Sequence, residues 1–439
     1  MSRIKQLSRN AVFAWSPRIA GSTEVLLAAG TSAVHFDASF DSASSLELCR
    51  LDLADPNSEL APLATLPASH RFHCLEWTRA DEGEGGRGVV LGGAENGSIL
   101  AYDAQKLIDH QPAELAQLKG HTSHVLSVEG NGFKANLAAS GAGASEVFIW
   151  DLHKPQSPMA PGPKQQPHEL VVAVRWSPQV EHILGTLSTS KAFIWDLRRS
   201  DGPILTLGDL GSRVQWKGMR WHPESATSLI LASEDDAFPV LQTWDVRFAT
   251  APLAQMDGHQ KGILSLDCCP ADPDLLVTAA KDMKIYLWNP NASQWIGELP
   301  LSARSWGSQV RWCPSNPNLI GVGSGDCRIG VYSLLGGSAP TDSSSPLASP
   351  KIADSFPGAD FSHLPKVSAS QQLEPKPAFK LPQVPKWLRP GPCGARFSFG
   401  NRLISFGEPG QEPGQEQQAS QRSISIAQVL TLQSTVLDH

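Results

Sequence analysis

Phe148-Ile149-Trp150-Asp151-Leu152 is followed by a near copy, Phe193-Ile194-Trp195-Asp196-Leu197, and by looser ones at Thr243-Trp244-Asp245-Val246 and Tyr286-Leu287-Trp288-Asn289. Leu100-Ala101-Tyr102-Asp103 upstream and Ile329-Gly330-Val331-Tyr332-Ser333 downstream have the same shape. The aromatics Tyr102, Trp150, Trp195, Trp244, Trp288 and Tyr332 stand 48, 45, 49, 44 and 44 residues apart. That interval is the period of a four-stranded propeller blade.

A second mark keeps step with the first. Trp176-Ser177-Pro178, Trp221-His222-Pro223, Cys268-Cys269-Pro270 and Trp312-Cys313-Pro314 precede their aromatics by 19, 23, 20 and 20 residues. The run into each is apolar and alternating, as in Val171-Val172-Ala173-Val174-Arg175-Trp176, and it breaks at Pro, which has no amide donor for a strand ladder. Asp274-Leu275-Leu276-Val277-Thr278-Ala279 then reads as a second strand, the aromatic phrase as a third and Pro252-Leu253-Ala254-Gln255-Met256 as a fourth.

At the N-terminus, Ala14-Trp15-Ser16-Pro17 carries the leading mark and Leu46-Glu47-Leu48-Cys49-Arg50-Leu51-Asp52 the phrase, with Leu51 in place of the aromatic. This makes seven units. The seventh lacks a last strand after Tyr332, so Ile4-Lys5-Gln6-Leu7 is expected to supply it and leave no open sheet edge. The expected fold is all-β: a seven-bladed propeller over 1–337.

Composition agrees with this class. With 41% apolar residues the chain can bury a large core, and its net charge of -7 argues against a surface that tracks phosphates. Seven cysteines form no Cys-x-x-Cys pair, so neither a disulfide framework nor a metal site is indicated, and a reducing compartment fits. Arg3, Lys5 and Arg9 interrupt the N-terminus, which does not read as a signal peptide, and no apolar stretch has the length of a membrane span. Asn96-Gly97-Ser98 and Asn291-Ala292-Ser293 match a glycosylation pattern but read as turns.

One unit resembles the WD-repeat family closely. Gly258-His259, Thr278, Asp282 and Trp288 match the residues that form a buried hydrogen-bond chain in that family. Elsewhere the set is incomplete: six residues before the aromatic stand Ala144, Asn96, Thr189 and Asp326. His259 and Asp282 also have the makings of a catalytic dyad, but their spacing to Trp288 favours the blade network. The chain has no Gly-rich phosphate loop, no His-Glu-x-x-His and no Gly-x-Ser-x-Gly, so no enzyme and no cofactor are expected. Glu234-Asp235-Asp236 reads as a solvated turn or contact surface rather than a cation site.

Residues 338–384 are rich in Ser, Pro, Ala and Lys and read as a flexible linker, with Ser-Pro pairs at Ser345 and Ser349. Order resumes over 385–432, before a tail of 433–439. Trp387 opens this segment, and two alternating runs flank Gly400-Asn401, read as a two-residue hairpin turn. A third run follows from Ser423. Alternation puts Phe397, Phe399, Ile404, Phe406, Ile424 and Ile426 on one face. Three such strands bury too little apolar surface to fold alone. Since the chain's own ring is already counted as full, the sheet is expected to enter another, open propeller by strand addition.

Taken together, Ala14-Trp15-Ser16-Pro17, Gly30-Thr31-Ser32-Ala33, Leu231-Ala232-Ser233-Glu234-Asp235-Asp236, Trp244-Asp245-Val246-Arg247-Phe248-Ala249 and Pro385-Lys386-Trp387-Leu388-Arg389-Pro390 resemble the outer-coat subunit of COPII vesicles of the Sec-thirty-one type. The resemblance implies a structural scaffold in ER-to-Golgi transport. Its propeller would meet other coat propellers at cage vertices, and its tail blade would enter the six-bladed partner of the Sec-thirteen type. It also implies cytoplasmic localisation at coated vesicles and ER exit sites, with membrane contact only through the coat. The family continues into an α-solenoid and a proline-rich region, whereas this sequence ends at His439, as in a short isoform or fragment of a divergent paralogue. The competing resemblance lies in Trp195-Asp196-Leu197-Arg198 and Trp244-Asp245-Val246-Arg247, similar to the signature of propeller receptors for cullin-RING ubiquitin ligases. There Arg198 and Arg247 would bind the ligase, unless they are salt-bridged locally.

Overall fold

A computed structural model describes residues 2–18, 24–33, 44–55, 57–79, 86–199, 201–208, 214–299, 305–335, 381, 384–389, 394–398, 402–407 and 423–428. The chain divides into two compact units, Met1–Leu381 and Pro382–His439.

The first unit is a seven-bladed propeller of antiparallel sheets, six with four strands and one with three. Their inner strands are Ala11–Trp15, Phe72–Thr78, Val125–Gly130, Val171–Trp176, Trp216–Trp221, Ile263–Cys268 and Gly307–Trp312, taken here as opening blades 1 to 7. These strands contact one another in turn around the ring. Each blade then runs outward in sequence order. In blade 7 the outer strand is Ser2–Leu7, which pairs antiparallel with Arg328–Ser333. The N-terminal segment thus closes the ring, as expected.

The sequence pattern explains where strands stop. Val171–Trp176 buries Val171, Ala173, Val174 and Trp176 against neighbouring blades; Ser177 N–H then bonds the Ile183 carbonyl, and Pro178 ends the ladder. The leading tryptophans do more than fill space. Trp176 Nε1 donates to the Glu129 carbonyl (3.2 Å), Trp221 Nε1 to that of Arg175 (3.0 Å) and Trp15 Nε1 to that of Arg311 (3.2 Å), each stitching its blade to the one before. At the closing seam Gln309 adds two bonds to the Phe13 backbone, of 3.1 and 2.9 Å.

Two expectations need correction in this unit. In blade 1 the aromatic position belongs to Cys49, not Leu51: Cys49 pairs with Leu27 as Trp195 pairs with Leu184, and it is fully buried. Leu51 instead matches Leu152 and Leu197, its N–H bonding back across the turn to Val25. Among the described residues blade 3 has no fourth strand, and Met159 bridges its outer edge, exchanging two bonds with Ile149.

The second unit contains a 3₁₀ turn, Lys386–Leu388, in which Trp387 is half-buried, and an antiparallel sheet of Gly394–Ser398, Arg402–Gly407 and Ser423–Gln428. Ser398 pairs with Arg402, so three residues, not two, connect the first two strands. That single extra residue reverses the face of the first strand. Phe397 pairs with Leu403, which pairs with Ala427; Ile404 pairs with Ile426, and Phe406 with Ile424. Phe397 therefore shares a face with Leu403 and Ala427, opposite Ile404, Phe406, Ile424 and Ile426. Phe399, the Gly400-Asn401 turn, Ser345, Ser349 and the 433–439 tail lie outside the described residues, as does nearly all of the 338–384 linker.

Candidate functional site

In blade 6 the side chains expected to form a network lie in hydrogen-bond contact. Trp288 Nε1 donates to Thr278 Oγ1 at 2.8 Å, His259 Nε2 lies 2.8 Å from the same hydroxyl, and His259 Nδ1 lies 3.0 Å from Asp282 Oδ2. An ionised Asp282 only accepts, which assigns the proton to Nδ1 and makes Nε2 the acceptor of the Thr278 hydroxyl. The chain then runs one way, from indole to carboxylate. Burial alone would raise the Asp282 carboxyl, but bonds from His259 and the Gln260 N–H hold it below its ordinary value. Both imidazole nitrogens are occupied, and the ring stacks on Tyr286 with centroids 4.4 Å apart.

Blade 3 builds the same network from a residue that spacing does not reveal. Trp150 Nε1 and His121 Nε2 each lie 2.7 Å from Ser140 Oγ. The carboxylate comes from Glu146, four residues before the Trp, where Ala144 stands at the expected position. Its Oε2 accepts the Thr122 N–H (2.9 Å) and faces His121 Nδ1 at 3.4 Å; its Oε1 accepts the Thr122 hydroxyl and Lys164 Nζ, both at 2.9 Å. Burial pushes His121 down to about 4, although Glu146 opposes it. Blades 4 and 5 keep only the indole bond, from Trp195 to Thr186 Oγ1 (2.9 Å) and from Trp244 to Gln242 Oε1 (3.2 Å).

Around the axis, the inner strands place Ala14, Glu76, Glu129, Arg175, Arg220, Asp267 and Arg311 in a ring, and in the five blades with a leading mark this is the residue before it. Three acids and three arginines alternate irregularly. Arg220 Nε lies 2.8 Å from Asp267 and its Nη1 3.6 Å from Glu129; Arg311 Nη2 lies 3.5 Å from Glu76. Asp267 also accepts the Trp312 N–H at 2.6 Å, and Glu129 accepts the Trp176 N–H, so the ring acids bond the next blade's backbone. Sequence reasoning missed this ring. Its signal was available one residue upstream of the mark already aligned.

The other candidates are bound up locally. Glu234 pairs with Lys217 (3.4 Å) and Lys281 (3.7 Å), and Asp236 with Lys281 (3.5 Å) and the Gly262 N–H (3.0 Å), clamping blade 5 to blade 6. Arg198 grips both carboxylate oxygens of Asp196, at 3.0 and 2.6 Å, and Arg247 does the same to Asp245 at 3.1 and 2.6 Å. The Arg198 bonds push the Asp196 carboxyl down to about 2. Each arginine is thus paired within its own turn. Among the described residues, no helix is long and apolar enough to cross a membrane, and no group of three or more His, Cys, Asp or Glu is arranged to hold a metal ion.

The closed ring of blades and the buried His–Thr–Trp network of blade 6 define a WD-repeat β-propeller. Residues 250–289, the blade 6 segment, match the WD domain, G-beta repeat family. The chain is 40% identical to protein transport protein Sec31A of Danio rerio over 437 residues and 41% identical to that of Homo sapiens over 440. Each match covers 98% of this chain but only 34% and 36% of those proteins, about a third of their length. Over nearly all of its length the chain is thus a homologue of Sec31 proteins. Among solved structures it is similar to a chain of "COPII on membranes, outer coat vertex", with a TM-score of 0.71 and 28% identity, covering 97% of this chain and all of that one.

Proposed function

We propose that the chain is a scaffold component of the outer COPII coat that works by contact and not by chemistry. Its propeller packs against other coat propellers at a cage vertex, and the sheet of 385–432 is donated as a missing blade to an open six-bladed propeller of the Sec-thirteen type. It acts on the cytoplasmic face of ER exit sites and vesicles, held to the membrane through the coat.

The observation that carries this reading is a closed ring with a sheet to spare. Ser2–Leu7 completes blade 7, so the ring has no vacancy for Gly394–Ser398, Arg402–Gly407 and Ser423–Gln428. The revised register strengthens it. A sheet covered on one side needs one apolar face, whereas a blade between two neighbours needs two, and here Phe397 and Leu403 lie opposite Ile404, Phe406, Ile424 and Ile426. Coverage of 97% in the outer-coat match is also more than the propeller unit alone could supply. In this reading Trp387, Phe397, Phe399, Ile404, Phe406, Ile424 and Ile426 are the donated contacts.

The test is co-purification with the open six-bladed partner. The partner should stay bound in high salt and be lost on deletion of 385–432. Equal retention by the deleted chain would refute blade donation.

A further inference from the structure

The axial ring separates two chambers of unequal charge. The chamber beside Trp15, Trp176, Trp221 and Trp312, of about 310 Å³, is lined by all six charged ring residues. The opposite chamber, of about 370 Å³, is lined by the three ring arginines and Lys217, and by none of the ring carboxylates. Among the described residues Glu234 is its one acid, already paired with Lys217 and Lys281.

Within the ring, Arg175 is the least compensated cation. Its nearest carboxylate oxygen is Glu129 Oε1, at 3.8 Å from Nε, and that same oxygen faces Arg220 at 3.6 Å. Arg175 Nε is buried without a hydrogen-bond partner, while Nη1 reaches only the Val174 carbonyl (2.8 Å) and Ser127 Oγ (3.4 Å). A guanidinium only 13% exposed, with five donors and a shared counter-charge, is a costly arrangement unless something else completes it. Water can satisfy the N–H groups but not the charge. In keeping with this, burial and then the neighbouring Arg220 depress Arg175 to about 9, and burial raises Glu129 above its ordinary range.

We propose that this chamber binds a compact multivalent oxyanion of the diphosphate class, held by Arg175, Arg220, Arg311 and Lys217. Arginines from blades 4, 5 and 7 line one small volume together with Lys217, and a guanidinium fork suits the bidentate recognition that phosphate oxygens offer. The volume admits a small molecule and excludes a folded peptide. Occupancy would tie three blades together across the axis and stabilise the ring by mass action.

The experiment is a titration of the full chain with inorganic pyrophosphate at fixed ionic strength, read by melting temperature and by calorimetry. A saturable rise in melting temperature is expected, with half-saturation below about 1 mM. Arg175→Gln should weaken binding at least about tenfold and Lys217→Gln severalfold, while Glu129→Gln, which removes the competing carboxylate, should tighten it. Lys217 is 40% exposed, so its variant will fold even if the buried ones do not. A wild-type response no greater than that to sodium chloride, or equal affinity in wild type and Lys217→Gln, would overturn the proposal.

Discussion

Replacing Glu146 with alanine should destabilise the propeller even though Glu146 itself occupies no position that the repeat pattern marks. Its side chain is 2% exposed and accepts from the Thr122 N–H, the Thr122 hydroxyl and Lys164. Lys164 is half-exposed and rehydrates, so the loss falls on the two Thr122 donors and on His121, which loses its Nδ1 partner. Two bonds to a charged acceptor at about 1.5–3 kcal/mol each give roughly 3–6 kcal/mol. A domain of about 330 residues unfolds with roughly 0.7 kcal/mol/K of entropy, so the melting temperature should fall by about 4–9 °C. Glu146→Gln keeps one acceptor and should cost about half as much. Differential scanning calorimetry on the full chain decides it. A fall of less than about 1 °C for Glu146→Ala would show that Glu146 does not stand in for the missing aspartate.

Acid should weaken blade 3 through His121. Its folded value lies below the unfolded one, so the unfolded chain binds the extra proton and stability drops as pH falls from about 6.5 to about 4, by at most on the order of 3 kcal/mol. In His121→Asn, denaturant titrations across that window should show a correspondingly shallower pH slope. Gln309→Ala, which breaks both bonds to the Phe13 backbone at the closing seam, should cost about 1–3 kcal/mol by urea unfolding. The double change Arg198→Ala with Arg247→Ala removes two exposed arginines that pair only inside their own turns; the melting temperature should move by no more than about 2 °C, with partner retention unchanged in the same pull-down.

Much of the propeller is legible in the sequence because its signals are local and repeated. Val171 to Trp176 alternates, Pro178 stops it, and Trp195 returns at a fixed distance. Where the reading slips, the physics of the slip is specific. Cys49 and Leu51 lie two residues apart, so period-two alternation assigns both to the same face and cannot choose between them. Glu146 escapes because the network is defined in space: a side chain one methylene longer, placed two residues nearer the Trp, reaches the same Thr122 N–H that Asp282 reaches at Gln260. The axial ring joins residues about 45 positions apart, none conspicuous alone. In the tail, alternation within each strand is correct, but the number of residues between Ser398 and Arg402 decides which faces combine, and one residue suffices to part Phe397 from Ile404.

Blade donation is tested most directly by amide hydrogen exchange over 394–398, 402–407 and 423–428, measured on the full chain with and without the open six-bladed partner. These ladders should exchange rapidly in the chain alone and become protected, in all three strands together, once the partner is added. Strong protection before the partner is present, unchanged by its addition, would mean that the sheet is complete within its own chain and would contradict the reading.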